Sequence, residues 1–229
     1  GRYSAKLYVW GDNAMKDKIK QRKIAILINK KSVCFNLQLY DSVKRIGDVS
    51  LSILLFLVLS PLICILAILI KLDSSGPVIF SQERLGKDGV PFLIYKFRSM
   101  KVDAEKDGPQ WASENDNRCT RVGKILRKAR LDEIPQLLNI LEGDMSFVGP
   151  RPEREYFYKK FESYIPEFRN RLAVKPGLTG LAQVNGGYDL RPEEKIVYDM
   201  KYIEQKSFRL DMECMLKTFT LIFTHKGAR

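Results

Sequence analysis

The chain contains one long apolar run, and this run predicts a membrane helix. Residues 49–70 include no charged side chain, with Lys44 and Arg45 before them and Lys71 directly after them. As a helix the run would be roughly 33 Å long, which is enough to span the hydrocarbon of a bilayer. It starts too far into the chain for a cleavable signal peptide, and no small-residue cleavage site follows it. We therefore predict a membrane helix over residues 44–72.

Two features of the run bear on how it sits in the membrane. Ser60 and Pro61 lie in its middle, where a proline removes a backbone donor and kinks or breaks a helix. Both ends are basic, which mildly favours a bent helix that enters and leaves on the cytosolic side. The Ser60 hydroxyl offers a local partner for a carbonyl that the proline frees. A kinked helix that spans the membrane explains these residues equally well.

Two short strands are predicted after the membrane helix. Residues 77–83 and 91–100 have strand composition, and the glycines at 86–89 are typical of the turn between two strands. Period-2 alternation places Lys96 and Arg98 on one face of the second strand. Such pairs are most often solvated charges, but beside a membrane segment they could also bind a phosphate.

The rest of the chain is mainly helical by its periodicity. Thr120 is a suitable N-cap for a helix whose buried stripe would be Val122, Ile125, Leu126 and Ala129. Gly143 is a suitable end for a second helix. Two more helices are predicted to begin near Pro192 and Leu210. The apolar face of the last one suits either a soluble core or a membrane surface.

Charge and cysteine content narrow the class of protein. The formal net charge is +12, and residues 1–45 hold 11 basic against 3 acidic side chains. A basic segment beside a membrane run suits anionic lipid headgroups or a phosphorylated substrate. Nucleic acid is not an expected partner because no nucleic-acid-binding motif is present. The four cysteines form no C-x-x-C pair, which argues against a zinc site and fits a reducing compartment.

One pair of carboxylates is the strongest candidate for chemistry. Asp132 and Glu133 stand where a helix is predicted to start, and helix N-termini stabilise anions. Arg127 and Arg130 add cations nearby. An ionised Asp in this setting could hold a divalent metal with a diphosphate, or attack phosphorus as a nucleophile. An Asp at a helix start is also a common structural N-cap, and the residues alone leave these roles open.

Several distinctive stretches lie between residue 44 and about residue 223. They read K-R-I-G-D-V with L-S-P, S-G-P-V-I-F-S-Q-E-R-L-G, Y-K-F-R-S-M, L-R-K-A-R-L-D-E-I-P-Q-L-L-N-I-L, M-S-F-V-G-P-R-P and K-P-G-L-T-G-L-A-Q-V-N-G. In this order they resemble the monotopic polyprenyl-phosphate phosphoglycosyl transferases, also called the bacterial sugar transferase family. The resemblance covers roughly four-fifths of the chain.

The resemblance implies a two-step reaction that depends on Mg²⁺. Asp132 would attack the sugar-proximal phosphorus of a UDP-sugar and release UMP, and undecaprenyl phosphate would then take the sugar phosphate from the enzyme. Asp132 would also hold the metal, and Glu133 would be its partner in a catalytic dyad. The substrate- and phosphate-binding residues that the resemblance implies are Arg127, Arg151, Arg98, Lys96 and Gly177.

The resemblance also favours the re-entrant form of the membrane helix, with its break at Ser60 and Pro61. The expected fold is α+β and mainly helical, with a re-entrant membrane helix hairpin and a compact catalytic domain. That domain would contain a small β-hairpin and amphipathic membrane-surface helices. We expect a basic extension of unknown role at 1–43, the membrane helix at 44–72 and the catalytic domain at 73–229. The location implied is the cytoplasmic face of the bacterial inner membrane, in contact with membrane lipids and compatible with a homodimer.

Two other functions compete with this interpretation. A glycosyltransferase that moves only the sugar would release UDP and would need a metal motif such as D-x-D, whose nearest counterpart is the stretch from Glu114 to Asp116. A membrane-surface scaffold would explain the charge and the apolar run, but it gives L-D-E-I-P-Q no role. One departure from the family pattern is Gly187, which stands where many members have an arginine. Neither the sugar nor the glycoconjugate pathway follows from these residues.

Overall fold

The structure is a computed structural model that describes residues 3–104, 106, 116–187 and 190–224, with side chains between residues 38 and 221. The chain divides into two compact units, Gly1–Lys44 and Arg45–Arg229. The helices are α1 (Tyr3–Asp73), α2 (Arg121–Lys128), α3 (Gln136–Glu142), α4 (Glu155–Glu162), α5 (Leu181–Val184), α6 (Pro192–Gln205) and α7 (Phe208–Thr224), and the strands are β1 (Ile79–Leu85), β2 (Pro91–Phe97), β3 (Ser146–Val148) and β4 (Gly177–Thr179). The fold is therefore mainly helical with little sheet, as the sequence predicts.

Helix α1 contains the predicted apolar run. It is the one helix in the described part of the chain that is long and apolar enough to cross a membrane. One stripe, which includes Ser52, Leu66 and Ile70, is buried, whereas Leu57 and Ile68 on the opposite face are 68% and 60% exposed. The burial therefore repeats with the helical period of 3.6 residues. An apolar face this exposed would be costly in water, and a lipid environment removes that cost.

The helix α1 is continuous through its proline. Pro61 lacks the N–H that would bond to the Leu57 carbonyl four residues earlier. The Ser60 hydroxyl donates to that carbonyl at 2.8 Å, so the local partner expected from the sequence is present. The helix runs unbroken from Tyr3 to Asp73 and is therefore much longer than the predicted membrane helix over residues 44–72.

Strands β1 and β2 form the predicted antiparallel hairpin. Phe80 pairs with Lys96, and a 3₁₀ turn at Lys87–Gly89 connects the strands. Strand β2 ends at Phe97, one residue before Arg98. The hairpin thus presents Phe80 and Lys96 side by side, because directly opposed residues project to the same face.

Both helix-end signals in the next segment are confirmed. The Gly123 N–H donates to the Thr120 hydroxyl at 3.0 Å, which caps α2. Gly143 ends α3 with φ = 101°, a conformation that glycine adopts without strain. On the predicted buried stripe of α2, Leu126 is confirmed as buried, whereas the predicted burial of Ile125 is wrong, since this side chain is 67% exposed.

A second small sheet was missed by the sequence pattern. Strands β3 and β4 are parallel, with Ser146 opposite Gly177 and Val148 opposite Thr179. Each strand has three residues, too few for alternation to be recognised. This pairing brings the S-F-V-G-P-R-P and K-P-G-L-T-G stretches together, although about 30 residues of chain separate them.

Candidate active site

The carboxylate pair lies in a 3₁₀ turn that leads into α3. The turn covers Leu131–Glu133 and is entered from Arg130, whose φ is 56°. Ile134 and Pro135 then connect it to α3, so the pair stands one turn before the helix that the sequence predicts it to start. Asp132 is 8% exposed. The tight turn holds the two adjacent carboxylates in fixed directions.

Glu133 is held by two cations. The Lys96 amine lies 3.1 Å from its carboxylate, and the Arg151 guanidinium lies 2.5 Å from the same oxygen. Burial opposes ionisation of Glu133, but the Arg151 and Lys96 charges hold its pKa well below the usual range. Glu133 is therefore ionised and binds two cations, one on strand β2 and one in the segment after β3.

Asp132 has a different electrostatic environment from its neighbour. Burial, together with the adjacent Glu133 charge, raises the pKa of Asp132 to about 6 despite the lowering effect of Lys96, Arg127 and Arg151. A carboxylate that is poorly solvated and surrounded by cations is suited to react with a phosphate or to bind one. The two adjacent carboxylates thus differ in pKa because their surroundings differ.

Most of the residues proposed from the sequence line a single cleft of about 480 Å³. Its walls also include residues that the sequence did not single out. Among the lining residues are Asp132, Glu133, Lys96, Arg98, Arg127, Arg151, Phe80, Gln82, Arg84, Arg130, Glu153, Arg171, Gln183 and Lys195. Cations outnumber carboxylates on this lining, which suits an anionic ligand.

Arg98 lines the cleft but bonds to the end of α1, and Gly177 lies outside the cleft wall. The Arg98 guanidinium donates to the backbone carbonyls of Ser74 at 2.7 Å and Ser75 at 2.5 Å, just beyond the C-terminus of α1. Gly177 lies in β4 and is not among the residues of the cleft wall. Arg98 therefore ties the cleft to the end of the apolar helix, and Gly177 lets two backbones approach. A phosphate contact by either residue stays a prediction.

The sequence analysis missed four residues of the cleft wall because their places there depend on packing. They are Arg84, Glu153, Arg171 and Lys195. Arg171 pairs with Asp199 at 2.7 Å, both nearly inaccessible to solvent, and Arg84 pairs with Glu153 at 3.3 Å. No local motif marks these pairs. Phe80 could have been found, because the hairpin register places it opposite Lys96.

Asn139 of α3 fixes the strand that holds Lys96. Its side-chain oxygen accepts from the Tyr95 N–H at 3.0 Å, and its amide donates to the Leu93 carbonyl at 2.7 Å. Asn139 is fully buried. Its two side-chain hydrogen bonds take the place of the backbone bonds that a neighbouring strand would make at this edge of β2. Since Lys96 follows Tyr95, this contact sets how closely Lys96 approaches Glu133.

We expect Asn139→Leu to lower turnover about 10- to 100-fold per folded molecule, because displacement of a catalytic group by about 1 Å has effects of that size. Tyr202→Phe is the matched control, since the buried Tyr202 hydroxyl contacts Val148 and Asp211 away from the cleft. Turnover at saturating substrate and thermal unfolding would be measured for both variants. Equal losses of turnover at equal losses of stability would contradict a positioning role for Asn139.

A magnesium ion in this cleft would need ligands from the substrate as well as from the protein. In the described part of the chain, no cluster of three or more His, Cys, Asp or Glu side chains could hold a metal. Mg²⁺ often binds through one or two carboxylates together with substrate phosphates, and does not require a cage of protein ligands. Asp132 fits that arrangement, whereas Glu133 already binds Lys96 and Arg151.

Comparisons with known proteins point to one family. A family model described as bacterial sugar transferase matches residues 39–225. Over 194 residues the chain is 45% identical to a UDP-N-acetylgalactosamine-undecaprenyl-phosphate N-acetylgalactosaminephosphotransferase of Aeromonas hydrophila, covering 83% of this chain and 46% of that protein. Over 195 residues it is 43% identical to a UDP-glucose:undecaprenyl-phosphate glucose-1-phosphate transferase of Caulobacter vibrioides, covering 82% and 72%.

Over 190 residues the chain is 40% identical to the Escherichia coli protein that has the same name as the Caulobacter relative, covering 81% of this chain and 41% of that protein. The chain therefore spans about half the length, or less, of two of these three relatives. All three names describe transfer to undecaprenyl phosphate, and they differ in the sugar.

Proposed function

Because the chain belongs to the bacterial sugar transferase family, we propose that it transfers sugar 1-phosphate from a UDP-sugar to undecaprenyl phosphate and releases UMP. The observation that carries this proposal is the Asp132–Glu133 pair in a cation-lined cleft beside the apolar helix. Such a cleft can gather a soluble anionic donor and a lipid anionic acceptor. The product would begin the synthesis of a surface polysaccharide or another glycoconjugate.

In the first step, a carboxylate oxygen of Asp132 attacks the sugar-proximal phosphorus of the donor. The bond between that phosphorus and the bridging oxygen breaks, and UMP leaves with the electron pair. In the second step, a phosphate oxygen of the acceptor attacks the same phosphorus and the bond to Asp132 breaks. This regenerates the carboxylate and leaves the sugar on a lipid-linked diphosphate.

The remaining residues orient and neutralise charge in this scheme. Arg127 and Arg151 stabilise the phosphates, and Glu133 holds Lys96 and Arg151 in place. A Mg²⁺ ion held by Asp132 and the substrate phosphates would add further charge neutralisation. Each of these groups favours a dispersed negative charge on the transferred phosphoryl group.

The test of the proposed function is the nucleotide released by the purified protein. The protein would be incubated with Mg²⁺ and either UDP-N-acetylgalactosamine or UDP-glucose, with and without undecaprenyl phosphate. A stoichiometric release of UMP without acceptor, and continuous release with it, is expected. Release of UDP would instead assign the protein to the glycosyltransferases that move only the sugar.

The competing functions have less support in the described residues. Glu114 and Asn115 lie outside the described part of the chain, and the Asp116 carboxylate pairs with Arg118 at 2.6 Å. Both carboxylate oxygens of Asp116 therefore accept from Arg118, and they would have to leave it to bind a metal. A scaffold that only binds lipid would not require the buried Glu133 with its two cations.

The proposed location is the cytoplasmic face of the membrane, with α1 as a re-entrant helix bent at Ser60 and Pro61. Both ends of the apolar run contact the same compact unit, which supports this arrangement. At one end the Phe147 N–H donates to Asp48 at 3.3 Å, and at the other the Val122 N–H donates to Asp73 at 2.9 Å. Helix α7 adds an exposed apolar face, including Leu216 and Phe219, that suits the membrane surface.

We expect cysteines at both ends of the run to stay on the cytosolic side. Val43→Cys and Ser75→Cys would be made in a cysteine-free background, with Ser163→Cys as the control in the catalytic domain. None of the three should react with a membrane-impermeant thiol reagent in intact cells, and all should react after permeabilisation. Labelling of Val43→Cys alone in intact cells would show that the helix spans the membrane.

A further inference from the structure

A strip of exposed apolar side chains connects the end of α1 with the cleft. Leu72, in the last turn of α1, is 78% exposed. Ile79, Phe80, Met100 and Val102 line the cleft on this side, and we call these four residues the apolar lip. Three of them are well exposed, with Val102 at 73%. The lip is therefore open to a ligand without any rearrangement of the core.

The lip lies directly beside the end of the apolar helix. Gly76, in the turn that leaves α1, is so close to Val102 that an added Cβ would lie 2.9 Å from a Val102 methyl group. Arg98 holds the same turn through the Ser74 and Ser75 carbonyls. The exposed face of α1 and the lip are thus neighbouring parts of one apolar surface.

The lip also reaches the reacting groups. Phe80 is paired with Lys96 across the hairpin, and opposed side chains of this kind lie roughly 5 Å apart at their Cβ atoms. The Lys96 amine in turn contacts Glu133 at 3.1 Å. An apolar chain on Phe80 would therefore end within reach of the carboxylate pair.

Cationic side chains line the same cleft as the apolar lip. They include Arg127 and Arg130, and Arg84 follows Phe80 along β1. The cleft thus offers apolar and cationic surface together. This combination matches an amphiphile that has one anionic head and a long apolar chain, and it does not match a nucleotide, which has no apolar chain to cover the lip.

We propose that the apolar lip binds the isoprene units nearest the phosphate of the polyprenyl phosphate acceptor. The rest of the chain would continue into the bilayer along the exposed face of α1. This inference rests on the proposed function for the identity of the lipid. It adds where the acceptor enters and which side chains recognise its chain.

The test separates the acceptor from the donor. Phe80→Ser, Val102→Ser and the double variant would be compared with Val90→Ser, since Val90 is 62% exposed and is not among the residues of the cleft wall. The KM for polyprenyl phosphate would be measured in phospholipid nanodiscs at saturating donor, and UMP release would be measured with donor alone. Binding of polyprenyl phosphate would also be measured directly by native mass spectrometry.

The double variant should raise the acceptor KM at least about tenfold, since removing contacts of one buried apolar side chain has effects of that size. Donor-only UMP release should stay within about twofold of wild type, as should every property of Val90→Ser. An unchanged KM with unchanged binding, or a loss of donor-only release, would overturn the proposal. If wild type released no UMP, and the double variant bound polyprenyl phosphate less well than wild type did, the proposed function alone would fail.

Discussion

Replacing Asp132 by Asn should lower sugar-phosphate transfer by at least about 10³-fold, because the variant lacks the attacking oxygen charge. The substitution preserves shape in a residue that is only 8% exposed, so the fold should survive. Donor-only UMP release, followed over a single turnover, is the measurement. The same variant should form no phosphosugar adduct detectable by intact mass spectrometry.

Two further variants make the Asp132 experiment specific. Asp211→Asn is the matched control, since Asp211 is 7% exposed, contacts the Tyr202 hydroxyl and lies outside the cleft wall. It should retain turnover within a few-fold of wild type per folded molecule. Glu133→Gln should lose less than Asp132→Asn, about 10- to 100-fold, because Glu133 positions Lys96 and Arg151. Continued UMP release by Asp132→Asn would exclude Asp132 as the nucleophile.

The second large effect is expected on folding. An Ala at Gly177 would place its Cβ against the backbone nitrogen of Gly149 and the carbonyl oxygen of Thr179. Neither backbone group can move without breaking the β3–β4 pairing, in which Gly177 lies opposite Ser146. We expect Gly177→Ala to reduce the free energy of unfolding by at least about 3 kcal/mol, at the upper end of overpacking effects.

The Gly177 experiment also separates two roles for this residue. Gly47→Ala is the control, because an added Cβ at Gly47 meets no atom within 4 Å. Thermal unfolding in detergent and donor binding would be measured for both variants. If Gly177→Ala unfolded at the wild-type temperature and lost donor binding, Gly177 would contact substrate, as the sequence analysis predicts.

Local signals were read correctly from the sequence where one or two turns of chain determine the structure. The Thr120 cap, the Gly143 helix end and the β1–β2 hairpin are all confirmed. Each depends on hydrogen bonds between residues close in sequence, so residue type and spacing are sufficient. The Ser60 hydroxyl bond to Leu57, three residues away, belongs to the same class.

Long-range contacts could not be predicted in this way. The β3–β4 sheet joins residues about 30 apart, and the bond between Asn139 and β2 joins Asn139 to Tyr95, 44 residues away. Such contacts depend on how complete helices and strands pack, and the sequence near either partner contains no sign of the other. The exposure of Ile125 was missed for the same reason, since packing decided how much of the apolar stripe of α2 faces the core.

The long apolar helix, the main secondary structure, the family and the carboxylate pair could all be recognised from the sequence, because each is encoded in contiguous residues. The surroundings of the carboxylate pair, in contrast, depend on packing. Packing brings Lys96, 37 residues before Glu133, and Arg151, 18 residues after it, to one carboxylate oxygen, and it gives Asp132 a different environment. It also brings the end of α1 beside the cleft. Charge and apolar surface act through distance and burial, and packing sets both.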